Sequence, residues 1–307
     1  MCDCLVALAP ATADGVTLFA KNSDRSPDEA QDLAWFPRRF DRGPLRTTYL
    51  EIEPHPVETL GCLLSRPEWC WGAEHGVNEA GVAIGNETIY TTLDPRDFPP
   101  ALIGMDLVRL GLERASTAAV AVEVITSLLD RYGQGGSGHG PDRPPRPYWS
   151  SFLVADPTAA YVVETSGRTY AVEQVYSRRA ISNRTTIAAF DAVHRHPRQP
   201  THRFVDARLA ASDAVLAAGA VTVDGLIAHL RSHDSHAPGE PGWSVCMHVE
   251  GVERTTASII AELPVGGVPT AWVVLGSPCE RRYMRLPVDG SVTPPSWDDW
   301  PALSCGW

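Results

Sequence analysis

The sequence predicts an α+β fold of antiparallel sheets with helices packed outside them. Strand-like runs recur along all 307 residues, while helical periodicity is confined to two pairs of segments. Single strands alternating with single helices would signal a parallel sheet. Long runs of strands interrupted by paired helices signal antiparallel sheets instead.

The elements follow in order. CLVALA (4–9) and VTLFAK (16–21) flank Thr12-Ala13-Asp14-Gly15, and an Asp-Gly pair between β-rich runs marks a hairpin. Residues 48–53, 60–64 and 82–87 are further strands. Asn78 to Gly81 reads as a tight turn leading into the last of these. Residues 101–114 place Leu102, Met105, Leu107, Val108, Leu110 and Leu112 at helical recurrence. Ser116 then caps a second helix running to about residue 131. The Gly- and Pro-rich stretch 133–147 reads as a long loop. Strands at 152–155 and 160–165 join through the Asp156-Pro157 turn. A second helix pair covers 203–218 and 223–231, and strands at 244–248, 257–263 and 271–275 complete the set. No repeat or composition break divides the chain, so residues 1–307 are expected to form one domain.

Composition narrows the function. Hydrophobic residues make up 44% and charged residues 21%, with 26 basic against 37 acidic residues for a net charge of −11. That charge repels phosphate backbones, so nucleic acid is not an expected partner. No run approaches the ~18 apolar residues of a membrane helix, and MCDCLVALAP lacks the basic start of a secretory signal. A cytoplasmic protein with no membrane partner is the expectation. Seven cysteines are too sparse and odd a set for a disulfide scaffold, so most should be small buried thiols.

The chemistry centres on Cys2. Once the initiator Met is removed, Cys2 carries a thiol (reference pKa roughly 8.5) beside an α-amine (roughly 7.7–8.0). The amine can take the thiol proton without a histidine. Cys4, two residues along the strand, shares its face and reads as a small thiol beneath Cys2. It gains an α-amine only if the first three residues are cleaved off. Across the hairpin, Lys21-Asn22-Ser23-Asp24-Arg25 offers a cation to depress the thiol pKa and a carboxylate to hold the amine; a solvated strand end is the plainer reading. In the segment 69–81, Trp71, Glu74 and His75 among glycines suggest a pocket wall or an aromatic core edge. Asn86 ends an apolar strand where its amide needs a partner, and it can donate to an oxyanion.

Other motifs carry less. Gly133 to Gly138 spells GxGxxG but follows a helix, the reverse of the strand–turn–helix context that dinucleotide binding needs. Cys246-Met247-His248 with Cys62 and Cys70 could be assembled into a zinc site, but no CxxC or HExxH spacing supports it. Neither metal nor cofactor is expected. A Cys246–His248 dyad is compatible with one strand face. The basic stretch 195–203 reads as a solvated loop.

Taken together, these segments resemble the secernin and dipeptidase branch of the N-terminal-nucleophile (Ntn) cysteine hydrolases. CDCLVALAPATADG (2–15), FAKNSDRSPDEAQ (19–31), SRPEWCWGAEHGVNEAGVAIGNE (65–87) and LIGMDLVRLGLERA (102–115) carry the resemblance most strongly. YGQGG (132–136), ISN (181–183), CMH (246–248) and LGSPC (275–279) continue it in order. Cys4 stands where the secernin-like pattern has Thr. A more distant similarity reaches bile salt hydrolase and penicillin V acylase, with Lys21 where those have Arg.

The resemblance implies an αββα sandwich, two antiparallel sheets between helical layers. It implies Cys2 as nucleophile and, through its amine, base. Asp24 would orient that amine with Lys21 nearby, and Asn86 and Asn183 would donate to the oxyanion. Arg254 is the candidate for the C-terminal arginine of the bile salt hydrolase pattern. Arg25, Trp71, Glu74 and Glu87 are expected to line the substrate pocket, and carboxylates there favour a substrate with a free amine. The expected activity is hydrolysis of a small linear amide, a dipeptide or aminoacyl amide, through an acyl-enzyme. An acyltransferase on the same acyl-enzyme, serving secondary metabolism for example, and a non-catalytic secernin-like scaffold are the alternatives. Homo-oligomerisation is left open.

Overall fold

The computed structural model describes residues 1–234 and 239–303. The chain begins with β1 (Cys2–Ala7), β2 (Thr17–Arg25) and β3 (Gln31–Phe36), then a small hairpin of β4 (Leu45–Arg46) and β5 (Glu51–Ile52). β6 (Cys62–Pro67), β7 (His75–Asn78) and β8 (Ala83–Ile89) precede the first helix pair, α1 (Gly104–Arg114) and α2 (Ala118–Tyr132). β9 (Trp149–Ala155), β10 (Ala160–Ser166), β11 (Thr169–Val175) and β12 (Arg178–Ile181) follow. Next come α3 (Ala188–His194), α4 (Thr201–Phe204), α5 (Asp206–Ala217) and α6 (Val223–Leu230). β13 (His248–Val249), β14 (Glu253–Leu263), β15 (Thr270–Leu275) and β16 (Met284–Pro287) close the described chain.

Two seven-stranded antiparallel sheets result. One runs β12-β1-β2-β14-β15-β16 with β13 paired to β14, the other β11-β10-β9-β8-β7-β6-β3. Strand alternation sorts each strand's side chains into two cores. Cys4 and Val6 of β1 and Phe19 of β2 meet Val77, Leu153 and Val162 of the other sheet. Leu5, Ala7, Leu18 and Ala20 face the opposite way, onto Leu216 of α5 and Leu226 of α6. Ile84, Phe152 and Val154 pack under Leu107 and Leu110 of α1 and Ile125 of α2. The layers are therefore helix, sheet, sheet, helix: the expected αββα sandwich. Because both faces of the central strands are covered, those strands read as continuous apolar runs.

Local chemistry sets the boundaries. Thr117, not Ser116, caps α2, its hydroxyl accepting from the Val120 N–H. The β9–β10 hairpin forms as expected, with Ala155 opposite Ala160. β1 and β2 pair, but Ala7 lies opposite Leu18, so the connection is a longer loop containing a 3-10 turn at Ala9–Ala11. The turn at Asn78 to Gly81 is built by the Asn78 side chain, whose Oδ1 accepts from the N–H groups of Ala80 and Val82. The strand expected at 244–248 shrinks to β13, beginning at His248. That at 48–53 shrinks to β5.

Two glycines bring the sheets and α1 close enough to build the site. A Cβ at Gly85 would lie 2.5 Å from Lys21 Cδ and 2.7 Å from Cys4 Sγ, and one at Gly104 would lie 2.5 Å from Asn86 Nδ2. Five of the cysteines, Cys2, Cys4, Cys62, Cys70 and Cys246, are buried free thiols, and Cys279 is half-buried. Cys305 lies outside the described residues.

Candidate active site

Cys2 opens β1 at one end of the sandwich and is buried. Its register partner is Ser23, while Cys4 pairs with Lys21. Its nitrogen donates to Asn183 Oδ1 at 2.8 Å. Arg208 on α5 is 0% exposed and ties this corner together. Its guanidinium donates to the same Asn183 oxygen (2.9 Å), to Asp3 (2.5 Å) and to the Cys2 carbonyl (3.4 Å), and lies 3.7 Å from Asp24 Oδ2.

Met1 continues the β1–β2 ladder. The Asp24 N–H donates to its carbonyl at 2.8 Å, and its ammonium donates to the Asp24 carbonyl at 3.0 Å and to Glu253 Oε2 at 2.6 Å. Met1 and Cys2 border a cavity of only about 40 Å³, whose walls include Arg25, Glu74, Asn86, Arg146, Tyr148 and Glu253. That volume holds water but no substrate, and Met1 is part of its wall.

The electrostatics depart from expectation. Burial pushes the Cys2 thiol up, and the opposing pull of Lys21 and the terminal ammonium does not overcome it. Lys21 was expected to depress the thiol below its ordinary value; it moderates a net rise. Burial also opposes Lys21's own charge, but the neighbouring thiols of Cys2 and Cys4 with Glu87 outweigh it and raise its pKa. Asp24 is lifted to about 7 by burial, against the pull of the terminal ammonium and Arg208. Glu253 is buried too, yet the ammonium and Arg146 hold it down at about 2.

The expected site residues divide. Cys2, Lys21, Asp24, Asn86, Asn183, Arg25 and Glu74 gather here. The acceptor for the Cys2 nitrogen is Asn183, not the expected Asp24, and the Asn183 amide N–H₂ donates to the Thr88 carbonyl at 2.9 Å rather than facing an oxyanion. Asn86 lines the cavity with its Oδ1 buried and unpartnered among the described residues. Glu74 lies 3.1 Å from Arg25 and 4.0 Å from Cys2 Sγ, so its charge is already matched.

Trp71 and Glu87 do not line this cavity. Trp71 faces α1, stacked at 4.3 Å on the Arg109 guanidinium, which also lies over Phe36. Glu87 alternates with Asn86 and Thr88 along β8 and points between the sheets. It is 0% exposed there, and burial raises its carboxyl to about 8 against the pull of Lys21. Arg254 is not at the site either; it pairs with Glu280 and Ser277.

The residues that sequence reasoning missed are Arg208, Glu253, Arg146 and Tyr148. Arg208 left a trace: with Val205, Ser212 and Leu216 it falls on the buried stripe of its helix, where an arginine needs a partner. Glu253 and Arg146 sit in polar stretches with no distinguishing pattern.

No family model matches the sequence. Among solved structures, the C2A mutant of the conjugated bile acid hydrolase from Clostridium perfringens aligns with TM-score 0.61 and 14% identity, over 95% of this chain and 94% of that one. A second variant of that hydrolase gives 0.58 and 13%, over 94% and 93%. At such identity the likeness speaks for architecture. The chain has the αββα fold of the Ntn hydrolases.

Proposed function

We propose that this chain is an N-terminal cysteine amidohydrolase of the secernin and dipeptidase type, acting on small linear amides that carry a free amine. The observation that carries this reading is the cage around the Cys2 nitrogen. When Met1 is removed, that nitrogen becomes an α-amine held by Asn183 Oδ1 at 2.8 Å, next to a thiol that burial keeps protonated. A neutral thiol needs a base, and the amine on the same residue is one.

The steps follow. The thiol proton passes to the α-amine, and Cys2 Sγ attacks the amide carbonyl carbon. Asn86 and the Asp24 N–H, freed of its bond to the Met1 carbonyl, receive the developing oxyanion. The ammonium returns its proton to the leaving nitrogen as the C–N bond breaks. Water then splits the thioester and restores the thiol.

Glu253 supports the substrate class. Met1 is an acyl group on the Cys2 nitrogen, and an acyl-enzyme carries its acyl group on the sulfur of the same residue. The ammonium of an aminoacyl group on Sγ would meet the carboxylate that now holds the Met1 ammonium at 2.6 Å. An adjoining cavity of about 370 Å³, lined by Pro200, Phe204, Val205 and Trp243 beside Arg146 and Arg198, suits the leaving portion of a dipeptide. The charged walls around Cys2, from Arg25, Glu74, Arg146 and Glu253, suit a polar aminoacyl group on Sγ. The test is release of the amine product from dipeptides and aminoacyl amides by the processed chain and by a Cys2→Ala variant. Turnover by the first alone supports the reading. Equal turnover by both removes it, and turnover by neither leaves the scaffold reading in its place.

A further inference from the structure

The sequence offered no metal motif, but the fold assembles four ligands from three separate stretches. His233 follows α6, Cys246 precedes β13 and His248 begins it, and Cys279 lies in the turn after β15. One ligand atom from each lies within 4.8 Å of all the others. His248 Nε2 is 3.2 Å from Cys279 Sγ and 3.5 Å from Cys246 Sγ. The His233 and His248 rings meet edge to face with centroids 5.0 Å apart.

The two spacings at His248 lie near those of a zinc tetrahedron, and the remaining ones are within 4.8 Å. Bonds of about 2.3 Å to sulfur and about 2.0–2.1 Å to nitrogen give ligand–ligand edges of about 3.3–3.8 Å. We propose that His233, Cys246, His248 and Cys279 form a structural Zn²⁺ site. Two thiolates and two imidazoles select zinc over oxygen-seeking cations. Four protein ligands fill its coordination sphere, so the ion holds structure and leaves no position for substrate. Binding displaces one proton from each thiol to solvent.

The site has a consequence for the catalytic corner, although it shares no wall with the cavity at Cys2. The Cys246 N–H donates to the Ser232 carbonyl. Its neighbour Met247 is bonded both ways to Thr255: the Met247 N–H donates to Thr255 Oγ1 at 2.8 Å, and the Thr255 N–H donates to the Met247 carbonyl at 3.1 Å. The Thr255 hydroxyl in turn donates to Asp24 Oδ1 at 2.7 Å. An ion fastening Cys246 and His248 to Cys279 therefore fixes the segment that positions the Asp24 carboxylate. Cys62 and Cys70 take no part, packing in other cores.

The test uses the full chain without a histidine tag, reduced and stripped with a chelator. It is titrated with Zn²⁺ against a chromophoric competitor, and separately with Co²⁺. The expected result is one equivalent per chain, release of about two protons per zinc at a pH where the free thiols are protonated, and a cobalt spectrum with thiolate charge-transfer and intense tetrahedral bands. A Cys2→Ala variant should keep that spectrum, and a Cys246→Ser/Cys279→Ser variant should lose it. A weak, octahedral cobalt spectrum or sub-stoichiometric zinc in the unsubstituted chain overturns the proposal, whether or not the double variant folds. So does a Cys246–Cys279 disulfide that survives reduction, or undiminished binding by a folded double variant.

Discussion

Replacing Glu253 by Gln tests how the site reads its substrate. The carboxylate lies 2.6 Å from the Met1 ammonium and 3.0 Å from Arg146 and is 6% exposed, so solvent screens it little. A hydrogen bond to a charged group is worth about 1.5–3 kcal/mol, which corresponds to about 10- to 150-fold in kcat/KM. The glutamine also leaves Arg146 without its carboxylate partner beside the substrate ammonium, which moves the expectation toward the upper end. The assay compares kcat/KM for a free-amine dipeptide and its N-acetylated analogue, with product followed by chromatography. The variant should lose the stated factor on the first and little on the second. An equal loss on both substrates, or no loss on the dipeptide, refutes the assignment of Glu253 as the amine anchor.

Other consequences are sharper in stability or in rate. Arg208→Met leaves Asp3 and Asp24 buried without their cation, which should cost about 3–5 kcal/mol, read as a lowered urea midpoint at unchanged m-value; an unaltered midpoint contradicts the role given to Arg208. Asn86→Ala should lower kcat about 100- to 1,000-fold with little change in KM. Full activity in that variant would remove Asn86 from the oxyanion site. Asp24 has its folded pKa raised from 3.8 to about 7, so the folded state holds a proton that the unfolded state releases. In the Met1-bearing chain its contribution to stability is full below about pH 4 and is lost as pH rises through about 7. Asp24→Asn should flatten that part of the urea-midpoint profile, and an unchanged slope would mean another group titrates there.

Much of the sandwich was legible because its central strands are covered on both faces and its helices are amphipathic. The runs at 4–9, 16–21, 82–87 and 257–263 all became strands. The edges were harder. β11 exposes Thr169, Val172 and Gln174 and lies at one end of its sheet, so neither continuous apolarity nor a buried alternation marks it. β7, with the sequence HGVN, is too short and glycine-containing for β propensity to reveal. Within the site, Cys2 and the Lys21–Asp24 run were readable from the hairpin, since pairing fixes which residues share a face. Glu87 was misplaced although the same rule, applied along β8 from Asn86, turns it inward. Trp71 was misplaced because an aromatic beside a glycine-rich turn reads equally as pocket wall or core edge, and only the position of Arg109 decides. Glu253 and the cluster of His233, Cys246, His248 and Cys279 draw on segments distant in sequence, which the pairing of β13, β14 and β15 in one sheet and the packing of α6 bring together.

In this mechanism Cys2 is the mature N-terminal nucleophile. Intact mass of the purified chain, followed by alkylation with limiting reagent and N-terminal peptide mapping, tests it most directly. The expected result is a chain beginning at Cys2 whose terminal thiol is labelled ahead of the other cysteines, with amide hydrolysis lost in step with that labelling. A retained Met1, an unreactive Cys2, or a chain beginning at Cys4 would contradict it.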